Sequence, residues 1–145
     1  MTVVDRDVPL DILDRLRSVC LRLPEAYEEE AWAGTRWRVR LRTFAHVLRI
    51  ESGWPPAFAR AVGSDGPVTV VTFRAGGAEL DALRLLGPPY FYGGWGRDAV
   101  GMVLDGPEGR QGADTDWDEL TELLIESYRL LAPKKLAAQI AHPPE

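Results

Sequence analysis

The sequence predicts an α+β fold: a two-layer sandwich in which an antiparallel five-stranded sheet is backed by helices. Three observations predict it. Apolar residues recur at three- and four-residue steps near both ends of the chain, in 9–23 and again in 115–132. Between these stretches the period falls to two, and β-branched residues become frequent. Gly- and Pro-rich punctuation separates the alternating runs, with no internal repeat, low-complexity segment or linker, so residues 1–145 read as one domain.

The first helix lies in "PLDILDRLRSVCLRLP". Leu13, Leu16, Cys20 and Leu23 form its stripe, Pro9 suits its first turn, and Pro24 ends it. "YEEEAW", "AGT" and "RWRVRLR" then read as a β-hairpin, with Gly34 in the left-handed position of a three-residue loop. This register sets Ala31 opposite Trp37, Glu30 opposite Arg38 and Glu28 opposite Arg40. A two-residue turn instead brings Glu29 onto the arginine face. "TFAHVLRIE" is a third strand with Phe44, His46, Leu48 and Ile50 on one side, entered through a turn near Leu41-Arg42. "SGWPPAFARAVGSDG" is a loop or short helical excursion, and "PVTVVTFR" is a buried strand.

"GGAELDALRLLG" predicts a short helix with Leu80, Leu83 and Leu86 inward. "PPYFYGGWGRD" is an aromatic loop, "AVGMVLD" the fifth strand and "GPEGRQGAD" a turn. "TDWDELTELLIESYRLLAP" is the longest helix, with Thr115 as its N-cap and a stripe of Trp117, Leu120, Leu124, Tyr128 and Leu131. "KKLAAQIAH" closes the chain as a short helix.

These landmarks carry a family resemblance. "LPEAYEEEAWAG" before a basic hairpin, "RTFAHV" opening a strand, "GWG" before the fifth strand and "LLIESYRLLAPKKL" on the last long helix resemble the MmcQ/YjbR family, and within it the actinobacterial branch. The resemblance runs from Pro9 to Ile140. It implies a fold like those of type III secretion chaperones and the bacterial frataxin homologue. It also implies the DNA-binding "double wing" often ascribed to that family. Many members carry a Gly-Lys turn where this chain has Leu41-Arg42, so the charge is kept and the glycine is lost. A turn with positive φ is therefore not expected here.

Bulk properties narrow the function classes. The apolar fraction is 46% and the charged fraction 27%, those of a soluble globular domain. The net charge of −5 argues against a surface that grips phosphates everywhere. A local basic patch is still compatible with it, because residues 1–50 balance nine cations against eight acids. One cysteine, no basic-then-apolar start and no long apolar run lead to the expectation of a cytoplasmic, non-membrane protein.

The candidate sites are two. Alternation puts Arg36, Arg38, Arg40 and Arg42 on one flank of a strand, with Trp37, Val39 and Leu41 filling the core from the other. Such a flank suits the phosphates of DNA, with Lys134 and Lys135 as secondary contacts. The same arginines, paired with Glu28, Glu29 or Glu30, also make an ordinary solvated face. The alternative is a small-molecule or peptide site on the aromatic loop 88–96, using Tyr90, Phe91, Tyr92 and Trp95 with Trp54.

Catalytic residues are not indicated. Cys20 lies on an apolar stripe, His46 alternates with core positions and His142 sits in the tail. Asp114, Asp116, Asp118, Glu119, Glu122 and Glu126 read as the wet face of a helix. No spacing points to a metal or a cofactor. The expectation is a non-enzymatic binding domain, monomeric or weakly homodimeric.

Overall fold

The structure, a computed structural model, describes residues 8–93, 95–105 and 115–140. The turn expected at 106–114 with Asp114, the tail with His142, and Gly94 lie outside the described residues. The architecture is α+β. An open, antiparallel sheet has six strands, in the order β1-β2-β3-β4-β6-β5. The strands are β1 (Tyr27–Glu30), β2 (Thr35–Val39), β3 (Arg42–Ile50), β4 (Val68–Arg74), β5 (Tyr90–Phe91) and β6 (Ala99–Asp105). The helices are α1 (Leu10–Cys20), α2 (Pro56–Val62), α3 (Gly77–Leu85), α4 (Trp117–Leu131) and α5 (Lys134–Ala137). The expected five strands become six because Tyr90 and Phe91, inside the aromatic loop, pair with Met102 and Gly101 of β6.

One sheet face is buried under helices. Trp37, Val39, Val47, Val71, Val100 and Met102 meet Leu16 and Cys20 of α1 and Leu120, Leu124 and Tyr128 of α4. The motif on α4 explains much of this attachment. Ser127 is fully buried; its hydroxyl donates to the Phe44 carbonyl at 2.6 Å and accepts the Arg74 N–H at 2.8 Å. Tyr128 donates to the carbonyl of Pro24 at 2.6 Å and packs edge-on against Phe44. Two hydroxyls thus tie the helix to β3, β4 and the entry of the first hairpin, satisfying backbone groups that burial would otherwise strand.

The opposite face is only partly covered. Leu48, Ile50, Val68, Val70 and Phe91 form a smaller cluster with Phe58 and Ala59 of α2. Phe91 fits because Gly101 lies beneath it: a Cβ on Gly101 would intrude into the Phe91 ring.

Several expectations are corrected. The first hairpin pairs Glu28 with Trp37, Glu29 with Arg36 and Glu30 with Thr35. Gly34 does take positive φ (73°), but in a four-residue connection closed by the Ala31 N–H on the Gly34 carbonyl. Glu28 therefore faces the helices, where it accepts from the Trp37 indole at 3.0 Å and from Arg17 at 2.9 Å. On β3 a bulge leaves Phe44 unpaired between Thr43 and Ala45, so its ring joins the helix-side core instead of the His46–Leu48–Ile50 row.

The β2–β3 turn falls on Arg40-Leu41 rather than Leu41-Arg42. Both residues have positive φ, 47° and 67°, the pattern of a type I′ hairpin turn. The turn geometry is kept without a glycine, at a cost of roughly 1–2 kcal/mol per residue. The Arg38 guanidinium donates to the Leu41 carbonyl across the turn. Leu41 is consequently 76% exposed rather than in the core. On α4 the N-cap is Asp116, accepting the Glu119 N–H at 3.0 Å. Thr115 instead donates to the Leu104 carbonyl. On α3, Leu83 is buried while Leu86 is half exposed beyond the helix end.

Candidate functional site

A cleft of about 730 Å³ lies on the partly covered sheet face. Its floor is a row of residues in register across three strands: Arg36 on β2, His46 on β3 and Thr72 on β4. Period-two alternation puts them on the face away from the helices. Arg74, two residues beyond Thr72, extends the floor. Three segments wall it: Trp32 from the β1–β2 connection, Phe58 and Arg60 from α2, and Tyr92 and Trp95 from the aromatic loop.

The walls are aromatic and mutually braced. Trp95 stacks on Phe58 with centroids 4.7 Å apart and meets Phe91 edge-on at 5.8 Å. Trp32 stands edge-on to Trp54 at 5.6 Å, yet remains 68% exposed. The Tyr92 hydroxyl and the Trp95 indole N–H are buried without a hydrogen-bond partner among the described residues. Buried donors in this condition are uncommon in folded proteins.

The electrostatics are one-sided. Three arginines line the cleft and, among the described residues, no Asp or Glu does. Arg36 is ion-paired to Glu29 and Arg74 to Asp98, both acids standing outside the lining. Arg60 is exposed and has no carboxylate partner among the described residues. His46 Nε2 lies 2.5 Å from the Ala33 carbonyl. Burial, helped by the charge of Arg36, holds its pKa below the usual imidazole value.

The two sets of sites expected from sequence are only partly assembled. Arg36 and Arg38 share the carboxylate of Glu29, Arg38 at 3.2 Å. Arg40 is at the turn and pairs with Glu25 at 2.9 Å, so it is not in line with them. Arg42 is exposed and has no acid partner among the described residues. Lys134 and Lys135 are exposed on α5, and Lys135 is near enough to Glu25 to help depress its pKa, after the dominant hydrogen bond from Arg40.

Of the aromatic set, Tyr92 and Trp95 reach the cleft, Phe91 supports Trp95, and Trp54 braces Trp32. Tyr90 points to the other face, where its hydroxyl donates to Glu119 of α4 at 2.7 Å. The cleft residues not anticipated are Trp32, Phe58, Arg60, Thr72 and Arg74. A tryptophan at the tip of a polar hairpin was a visible signal; the others depend on strand register and on where α2 settles.

Comparison with known proteins agrees with this architecture. The sequence profile described as YjbR matches residues 21–130. The chain belongs to the YjbR family. That match begins just after α1 and ends within α4, so it spans the whole sheet and both faces. A crystal structure of a protein from Pseudomonas syringae, a structural-genomics target, superposes with a TM-score of 0.56 at 16% identity. The superposition covers 85% of this chain and 97% of that one, and at this identity it speaks to the fold alone. No curated protein matches the sequence. Among the described residues no helix is long and apolar enough to cross a membrane.

Proposed function

We propose that this YjbR-family domain is a cytoplasmic binding module that takes a small organic ligand into the cleft on its partly covered sheet face. The observation that carries the reading is the cleft itself: aromatic walls and three guanidinium groups around a volume of about 730 Å³. That size falls within the range of ligand sites, which combine apolar walls with a few polar groups. The reading assigns no reaction. Cys20 is fully buried, and burial pushes its thiol pKa up, so it is a packing residue and not a nucleophile.

The test is a fragment screen followed by heteronuclear NMR mapping. Hits are expected to shift the indole resonances of Trp32 and Trp95, and Trp95→Ala is expected to abolish binding. Hits that bind Trp95→Ala as tightly as the parent would place the site elsewhere.

A second reading is favoured by the exposed cations beside the β2–β3 turn and on α5. Arg42 and Lys134 have no ion-pair partner among the described residues, and Lys135 is close enough to Glu25 to help lower its pKa. In this reading the β2–β3 turn and α5 meet a nucleic-acid backbone, with Arg36, Arg38 and Arg40 contributing only if their carboxylates let go. Such binding weakens with salt by a log–log slope of about −0.9 per phosphate neutralised. Titration of a short duplex at two salt concentrations tests it, and no binding at the lower one removes it.

A further inference from the structure

The cleft's charge and shape together restrict what it can hold. Its lining contains Arg36, Arg60 and Arg74 and, among the described residues, no acid, on a chain whose net charge is −5. Concentrating cations where the rest of the molecule is acidic gives the cleft a potential opposite to that of the bulk surface. Two of the three guanidinium groups are already balanced, Arg36 by Glu29 and Arg74 by Asp98. Arg60 has no ion pair among the described residues, although Asp65 lines a neighbouring cavity with it, so the cleft is left with about one cation not held in an ion pair among them.

The walls favour a flat molecule. Trp32, Phe58, Tyr92 and Trp95 present rings rather than flexible aliphatic chains, and rings pack offset-stacked or edge-on against other rings. The Tyr92 hydroxyl and the Trp95 N–H are buried without a partner among the described residues, so the polar group these walls expose is the Arg60 guanidinium, which offers donors only. Positive charge and aromatic surface converge on one chemistry.

Building on the reading of the cleft as a ligand site, we infer that its ligand is a small planar aromatic compound bearing a single oxyanion group, a carboxylate or phosphate ester. Arg60 binds the oxyanion, Arg36 and Arg74 set the surrounding potential, and the ring lies against Trp32 and Trp95. Arg60 sits on α2 beside Ala57 and Ala61, which also line the cleft, while Phe58, two positions before it, is turned to the buried side of the helix.

The test uses matched pairs: benzoate, indole-3-carboxylate and 2-naphthoate, each with its uncharged primary amide, at neutral pH. Binding to the intact chain is measured by calorimetry and by NMR shifts of the cleft residues. At least one acid is expected to bind about tenfold or more tightly than its amide, the scale of one charge-assisted hydrogen bond. Arg60→Gln is expected to erase that preference, so that the acid binds no more tightly than its amide. The side chain is exposed, so the variant should fold, and circular dichroism checks that it does. Amides that bind as tightly as acids, or an acid whose affinity survives Arg60→Gln, overturn the anion assignment and leave the cleft reading intact. If no probe of either kind perturbs cleft resonances, the cleft reading falls and this inference falls with it.

Discussion

Arg36 and Glu29 stand directly opposite each other on the first hairpin, and their side chains form an ion pair. Glu29 also takes Arg38, so one carboxylate restrains two of the four arginines of the basic strand. Its own pKa is lowered, first by the hydrogen bond from Arg36.

Glu29→Gln tests what that restraint does. The pair is solvent-accessible, so the fold should tolerate the change. Both guanidinium groups then lose their counter-charge. An acid that binds the cleft should bind more tightly, and low-salt duplex binding should rise if the strand reaches DNA at all. Urea denaturation, calorimetry and fluorescence anisotropy on the same variant read out the three effects. Unchanged affinity for every anion would mean that Glu29 does not control the strand's charge.

Glu28, one residue away, has a different duty. Its pKa is lowered, chiefly by the Arg17 hydrogen bond and against the opposing effect of burial. A depressed carboxylate stabilises the fold above its unfolded pKa, near 4.5, and that contribution is lost as pH falls through the folded value. Glu28→Gln should flatten the acid limb of a stability-versus-pH curve while retaining an acceptor for Trp37. Glu28→Ala also strands the Trp37 N–H and should cost about 1–3 kcal/mol at neutral pH by urea denaturation.

His46 makes the corresponding prediction at milder pH. Its folded pKa is depressed by burial from 6.5, so the neutral ring is the stable form. Stability should be full above 6.5 and should fall as pH drops from there through the folded pKa. In His46→Gln that part of the pH dependence should disappear from thermal unfolding curves recorded between neutral and acidic pH.

Ser127→Ala should be among the costlier conservative changes. The hydroxyl is fully buried and serves one acceptor and one donor on two different strands. Its loss strands the Arg74 N–H and the Phe44 carbonyl, worth about 1–3 kcal/mol for an unsatisfied buried group. A destabilisation within a few tenths of a kcal/mol would show that water replaces it.

Trp32→Ala separates binding from folding. The ring is largely exposed, so the melting temperature should hardly move. Fluorescence-detected affinity for an aromatic ligand should drop if the ring is one wall of the cleft.

The helices, the hairpin and the central strands were legible because their signals are local. The α1 and α4 stripes follow the 3.6 period, and the arginine strand follows the period of two. The motif on α4 was legible as a motif but not as a device. Only contacts across 83 and 104 positions of chain show Ser127 and Tyr128 holding the sheet and the hairpin entry. The basic end of the same motif was read for its charge.

What the sequence determined by itself is the family, the α+β class and the two flanks of the second strand. Those depend on side-chain period, which each segment carries alone. Tertiary structure decided which acids meet which arginines, because register is set by turn geometry and one bulge at Phe44. It also decided that a sixth strand forms inside the aromatic loop, sending Tyr90 to the helices and Phe91 to the other face. The cleft belongs to the tertiary level entirely: its residues come from β2, β3, β4, β6, α2 and two connections, and nothing local in the sequence states that these surfaces face one another.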